Sequence, residues 1–194
     1  MSHRLLALDL FCGLGGWSDG LEAEGFDVVG VELVPMVAQL YRHKVILADC
    51  YYLPLRGGLK WDLVVGSPPC RDFSDTVRVW GHRWRRPPDP EGQGMKLVQA
   101  FLDYVSQAEP RYWLMENVPG LKKYLHVKPR CEAYLGEGMR RCFWGNFPAF
   151  LISRDYNHKF LRANREPLRK WERARIPLSI ARALGRVVAR SLSS

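Results

Sequence analysis

The sequence predicts a doubly wound α/β fold on a mostly parallel sheet, and three observations predict it. Short apolar runs alternate along the chain with segments of helical period. The runs are apolar at nearly every position, as strands must be when helices cover both faces of a parallel sheet. Several runs end on glycine or an acid, and in open α/β sheets ligands bind outside the carboxyl ends of the strands.

Taken in order, residues 5–10 (LLALDL) form the first strand, and the turn FCGLGG leads into a short helix, WSDGLEAEGF. DVVGVE (27–32) is the second strand. PMVAQLYRHK (35–44) reads as a helix with Pro35 at its first position, where a missing N–H costs nothing. VILAD (45–49) and WDLVVG (61–66) are the third and fourth strands. Met95, Val98, Phe101, Leu102 and Val105 mark one face of a helix within 92–108. RYWLMEN (111–117) is the fifth strand, and AYLGEGMRRCFWGNF (133–147) reads as a hairpin turning at Gly136–Gly138. IPLSIARALGRVVARSL (176–192) closes the chain as a helix, with Ile180, Ala181, Leu184, Val187 and Val188 on one face and Arg182, Arg186 and Arg190 on another.

Composition narrows the class. A chain of 194 residues with 47% hydrophobic and 25% charged residues suits one globular domain, or one domain with an appendage. No apolar run approaches the ~18–20 residues of a bilayer crossing. The apolar N-terminal stretch runs straight into Asp9 and a glycine turn, unlike a secretory signal, so a cytoplasmic, non-membrane protein is expected. The five cysteines (Cys12, Cys50, Cys70, Cys131, Cys142) are odd in number and form no CxxC pair. Neither a disulfide framework nor a metal site is expected, and a reactive thiol is. Net charge is +9, concentrated in residues 151–194, where eleven Lys/Arg face three acids. Such a surface attracts a polyanion such as nucleic acid, although an Arg-rich solvated helix gives the same count.

The chemistry-bearing residues gather at strand ends. In Asp9-Leu10-Phe11-Cys12-Gly13-Leu14-Gly15-Gly16 the glycines permit a tight turn and close approach of a ligand. Glu32 ends the next strand, where an acid commonly bonds ribose hydroxyls, and Asp49 ends the third, where it can accept from an adenine amino group. A nucleoside cofactor follows, and the missing P-loop lysine disfavours ATP. Ser67-Pro68-Pro69-Cys70-Arg71-Asp72-Phe73-Ser74 leaves the fourth strand through two stiff residues, which position Cys70 as a nucleophile must be positioned. Glu116-Asn117-Val118 ends the fifth, where burial can hold a carboxyl protonated.

These residues resemble the C5-cytosine methyltransferase family over residues 5–120. DLFCGLGGWSDGLEAEGF is similar to its first motif, SPPCRDFS to its nucleophile motif and ENV to its acid motif, in the family's order. The resemblance implies a Rossmann-like methyltransferase fold that binds S-adenosylmethionine. Asp9, Phe11, Gly13, Gly15, Gly16 and Pro69 would line the cofactor, with Glu32 on its ribose and Asp49 on its adenine. It also implies that Cys70 attacks C6 of a flipped cytosine, that Glu116 holds N3, and that Asn117 fixes the loop. Arg140-Arg141-Cys142 is similar to an altered form of the family's QxRxR segment, so Arg141 would contact O2 of the base and Arg140 a phosphate. Arg71, Ser74, Arg78, Trp80, Arg83, Trp84 and Arg85 would meet nucleic acid, the tryptophans by stacking and the arginines through phosphates. Arg175-Ile176-Pro177 and the last helix resemble the final motif, with Arg173-Ala174 where the family has Gly-Asn.

Two departures matter. Arg71 replaces the usual Gln, and a cation there would lower the Cys70 pKa. Only 148–172, a short basic linker, separates a catalytic core (1–147) from a C-terminal helix (173–194), where restriction-type members carry a recognition domain. Short or loose specificity is expected, or specificity supplied by a second copy or a recognition partner. DNA is the favoured substrate. The residues alone leave open RNA as substrate, an accessory nucleic-acid-binding subunit, and an exocyclic-amino methyltransferase, which needs no cysteine.

Overall fold

The computed structural model describes residues 4–53, 60–74, 87–134, 140–152 and 168–193. Seven strands form one sheet: β1 (Leu5–Leu10), β2 (Phe26–Glu32), β3 (Lys44–Leu47), β4 (Leu63–Gly66), β5 (Tyr112–Asn117), β6 (Cys131–Tyr134) and β7 (Arg140–Asn146). Their order is β3-β2-β1-β4-β5-β7-β6. The first five pair in parallel, while β7 runs antiparallel to both β5 and β6. The order reverses between β1 and β4, the crevice where doubly wound sheets bind ligands.

The described α-helices are α1 (Gly16–Glu22), α2 (Pro35–Ala38), α3 (Met95–Ala108), α4 (Arg169–Ala174) and α5 (Leu178–Ser193). On one face of the sheet Ala7, Val28, Leu63, Val65 and Leu114 meet Trp17 and Leu21 of α1 and Ile180, Leu184 and Val188 of α5. On the other, Leu8, Leu10, Val31, Val64 and Met115 meet Val98, Phe101 and Val105 of α3. Val98 and Phe101 are fully buried, and each holds α3 by roughly 1.5–3 kcal/mol. Glu109, in the left-handed region at φ 44, ends that helix.

One element departs from expectation. The helix predicted over 35–44 stops at Ala38, and Lys44 already pairs with Val29 as the first residue of β3. Sheet pairing claims the end of a segment whose helical period is real but short. The predicted hairpin is present as β6 and β7, and its turn lies outside the described residues.

The basic C-terminal helix is also less open than its composition implies. Arg182 Nε and Arg186 Nη2 lie 2.8 and 3.0 Å from Glu24 Oε1. Arg175, just before α5, pairs with Asp19 of α1. These charges fasten α5 and the segment before it onto α1 and the turn that follows it, where Glu24 lies. Among the described residues, no helix is long and apolar enough to cross a membrane.

Candidate active site

Parallel pairing sets the ends of β1, β2, β4 and β5 along one rim, because Leu10 is level with Val31 and Gly66, and Gly66 with Met115. The residues that follow those positions form the site.

After β1 the chain turns through left-handed backbone at Phe11 (φ 59), Gly13 (φ 53) and Gly15 (φ 79). Phe11 is a non-glycine residue held there, a conformation that costs energy and clusters at functional sites. Glu32 bridges this turn to the end of β2: its Oε2 accepts from Gly13 N at 3.1 Å and its Oε1 from Val34 N at 2.9 Å. Gly16 is required by close approach, since a Cβ there would lie 2.5 Å from Ile176 N. Trp171 of α4 stands over the turn, its Cδ1 3.7 Å from where a Gly13 Cβ would be. Asp49 caps a 3-10 turn, accepting from Tyr51 N at 3.0 Å. The left-handed turn, its acidic brace and the indole above it lie together beside the point where the strand order reverses, the place where doubly wound sheets hold ligands.

Asp9 is placed differently. It is buried beneath the turn, accepting from Ser18 Oγ at 2.6 Å, and Ser18 in turn takes the Tyr41 hydroxyl proton at 2.5 Å. Burial pushes its carboxyl up to about 7. Strand alternation explains the placement, because Asp9 shares the face of Ala7, under α1. Asp9 therefore supports the turn from below.

Cys70 ends the Pro68–Pro69 turn and is half-buried, while Pro69 is exposed. Burial pushes its thiol pKa up, the Glu116 carboxylate adds to that, and Arg141 opposes it. The expected lowering by Arg71 is not what sets this thiol. The Arg71 guanidinium lies 3.9 Å from the Asp72 carboxylate, and Arg141 is the cation that opposes the rise at Cys70.

Glu116 is buried at 5% exposure, and Arg141 Nε sits 2.7 Å from its Oε1. Burial raises the Glu116 pKa, opposed by Arg141 and by a hydrogen bond from Ser67. Burial therefore disfavours the charged form of both acids, and the Glu116 charge adds to the rise at Cys70. Asn117 is fully buried, donates from Nδ2 to Pro68 O at 2.9 Å and accepts from Val118 N at 2.9 Å. It ties the acid's strand to the cysteine's turn.

Ser67 opens the cysteine motif, and its sequence neighbours give no sign of a role for it in the site. Its hydroxyl accepts from Trp17 Nε1 at 3.1 Å and donates to Glu116. The partner lies 50 positions away on α1, so only the fold reveals the link. Arg140 packs over Tyr134 at 4.9 Å and reaches Glu132 at 3.5 Å, away from the pair. Ser74 is half-buried after the cysteine turn. Arg78, Trp80, Arg83, Trp84 and Arg85 lie outside the described residues.

The profile of the C-5 cytosine-specific DNA methylase family matches residues 5–135. The chain is 32% identical over 125 residues to the type II methyltransferase M.AplI of Arthrospira platensis, covering 62% of this chain and 33% of that one. It is 32% identical over 140 residues to M1.HphI of Haemophilus parahaemolyticus, covering 66% and 36%. The chain thus spans about a third of the length of these relatives. A solved structure described as a DNA modification methyltransferase of an E. coli prophage superposes with a TM-score of 0.55 at 24% identity, covering 77% of this chain and 49% of that one. That likeness concerns the fold.

Proposed function

The chain belongs to the C-5 cytosine-specific DNA methylase family, and from that premise we propose that it moves a methyl group from S-adenosylmethionine to C5 of cytosine in DNA, through a transient bond between Cys70 and C6 of a flipped base. The observation that carries this reading is the pairing of buried Glu116 with half-buried Arg141, 2.7 Å apart, on the same rim as a cysteine turn that Asn117 holds in place.

Phe11, Gly13, Gly15 and Gly16 would hold S-adenosylmethionine, with Glu32 toward its ribose, Asp49 toward its adenine and Pro69 beside it. When bound, the group supplies an electrophilic methyl. The C5 atom of cytosine is too weak a nucleophile to take that methyl unaided. Cys70 passes its proton to water and forms an S–C6 bond as the C5=C6 π bond opens, and the electron pair is delocalised toward N3 and O2. A protonated Glu116 donates to N3, and Arg141 is placed to meet O2, so the developing charge is met by fixed donors. C5 then carries enamine character and takes the methyl group. Water takes the C5 proton, the C–H electron pair re-forms the C5=C6 bond, the sulfur leaves as thiolate with the S–C6 pair, and N3 returns its proton to Glu116.

The raised pKa values serve this sequence. A Glu116 that resists ionising keeps the proton that N3 needs, and Arg141 keeps the thiolate within reach. The description of the family, C-5 cytosine-specific DNA methylase, supports DNA as substrate. In this reading residues 1–147 are the catalytic core, 148–172 a short linker and 173–194 a helix that closes the cofactor side. With so short a linker, the sequence read by the chain alone is a few base pairs or fewer, unless a second copy or a partner adds to it.

The test is label transfer from S-adenosylmethionine to matched DNA and RNA duplexes, with bisulfite sequencing of both. Methylcytosine in DNA, in short contexts, is expected. Transfer to RNA alone, or none to either, overturns the reading.

A further inference from the structure

Positive surface is not evenly neutralised across the molecule. Arg175, Arg182 and Arg186 are engaged by Asp19 and Glu24. The segment that leaves the site differs. Between Val118 and Arg130 the sequence holds Lys122, Lys123, His126, Lys128 and Arg130 and no acid. All five are exposed. Lys122 shares Glu132 with Arg140, at 2.8 and 3.5 Å, so two cations meet one carboxylate. Lys123 and Lys128 have no carboxylate partner among the described residues. Arg130 stacks its guanidinium over Phe147 at 5.2 Å, which fixes its position.

This basic run is fastened to the site. Gly120 packs against the Phe73 carbonyl so closely that a Cβ would collide with it. Tyr124 meets the Phe73 ring at 5.7 Å, three residues past Cys70. Leu121 is fully buried. Farther along, Trp144 Nε1 donates to Val127 O at 2.9 Å and Arg130 N to Phe143 O at 2.8 Å. The cations therefore stand on backbone held from both ends, beside the nucleophile turn.

We infer that residues 118–130 form a landing surface for the phosphodiester backbone of duplex DNA, holding the strand next to the cysteine turn. The inference rests on the reading of the site as a DNA cytosine methyltransferase and adds the surface that binds its substrate. Fixed cations release condensed counterions when they meet phosphates, so their contribution shows in the salt dependence of binding. It carries no sequence information, in keeping with a chain that has little room for a reading module.

The experiment measures affinity for a short cytosine-containing DNA duplex across a range of salt concentrations. It compares wild type, Lys123→Ala/Lys128→Ala, and the control Arg4→Ala/Lys44→Ala. The control removes the same charge from exposed residues at the amino ends of β1 and β3, the opposite rim. The first double variant is expected to flatten the slope of log K against log salt by about 2, roughly one unit per lost phosphate contact, and the control to leave it unchanged. An unchanged slope in the first double variant overturns the inference. So does an equal flattening in the control, or a change seen with an RNA duplex but not with DNA. A wild-type chain that binds no duplex DNA overturns the functional reading itself, a result distinct from these.

Discussion

Ser67 shows how one hydroxyl can tune an acid it merely touches. Trp17 donates to it at 3.1 Å, which leaves the serine proton directed at Glu116. That donation stabilises the carboxylate and works against burial. Ser67→Ala removes the donor, so the Glu116 pKa should rise further, and the pH at which adduct formation fails for want of a protonated acid should move upward. Ser67→Thr should restore the profile. A uniform loss of rate with an unmoved profile would contradict the assignment. Asp9 makes a separate test. Its carboxyl is raised to about 7 from 3.8, so the folded chain binds more protons than the unfolded one between those values, and stability falls as pH rises through that window. Asp9→Asn keeps the acceptor for Ser18 and removes the titration. Urea midpoints should decline with pH in the wild type and less in the variant, and parallel curves would contradict the account. Cys70, Glu116 and Asn117 were legible in the sequence because each sits in a contiguous motif at a strand end. The Ser67–Trp17 link and the role of Arg141 in setting the thiol were not, because both depend on side chains brought together from distant positions.

Among the elements, the α1–α5 contact carries the most precise fit. Gly20 of α1 meets Ala181 of α5 so closely that a Cβ would collide with the Ala181 side chain and lie 2.7 Å from Arg182 N. The obstacle is largely backbone, which cannot rotate away. Gly20→Ala should therefore destabilise by about 1–3 kcal/mol despite its better helix propensity, read as a lower urea midpoint at unchanged slope. A stabilised variant would show that the helices are not so closely set. The strands and long helices were legible because period 2, period 3.6 and unbroken apolar runs are local signals. The length of α2 was not: PMVAQLYRHK keeps helical period past Ala38, but the hydrogen bonds available to Lys44 beside Val29 decide where the helix ends. The fate of the basic helix was also hidden, since Glu24 lies more than 150 residues from Arg182.

Across the whole molecule, one sheet brings together residues from distant parts of the sequence. The strand order reverses between β1 and β4, so the glycine turn and the cysteine turn, far apart in the chain, share one crevice. The basic run after β5 borders the cysteine turn, and the final segment is fastened over the glycine turn from the other side. In the proposed reaction a sulfur–carbon bond forms at that crevice. The most direct test is incubation with S-adenosylmethionine and a duplex bearing 5-fluorocytosine, whose fluorine cannot be removed as a proton is, so the covalent species is trapped. A denaturation-resistant protein–DNA adduct should form with the wild type and be absent in Cys70→Ala. Methyl transfer that persists in Cys70→Ala, or a wild type that transfers methyl groups yet never traps, would contradict it.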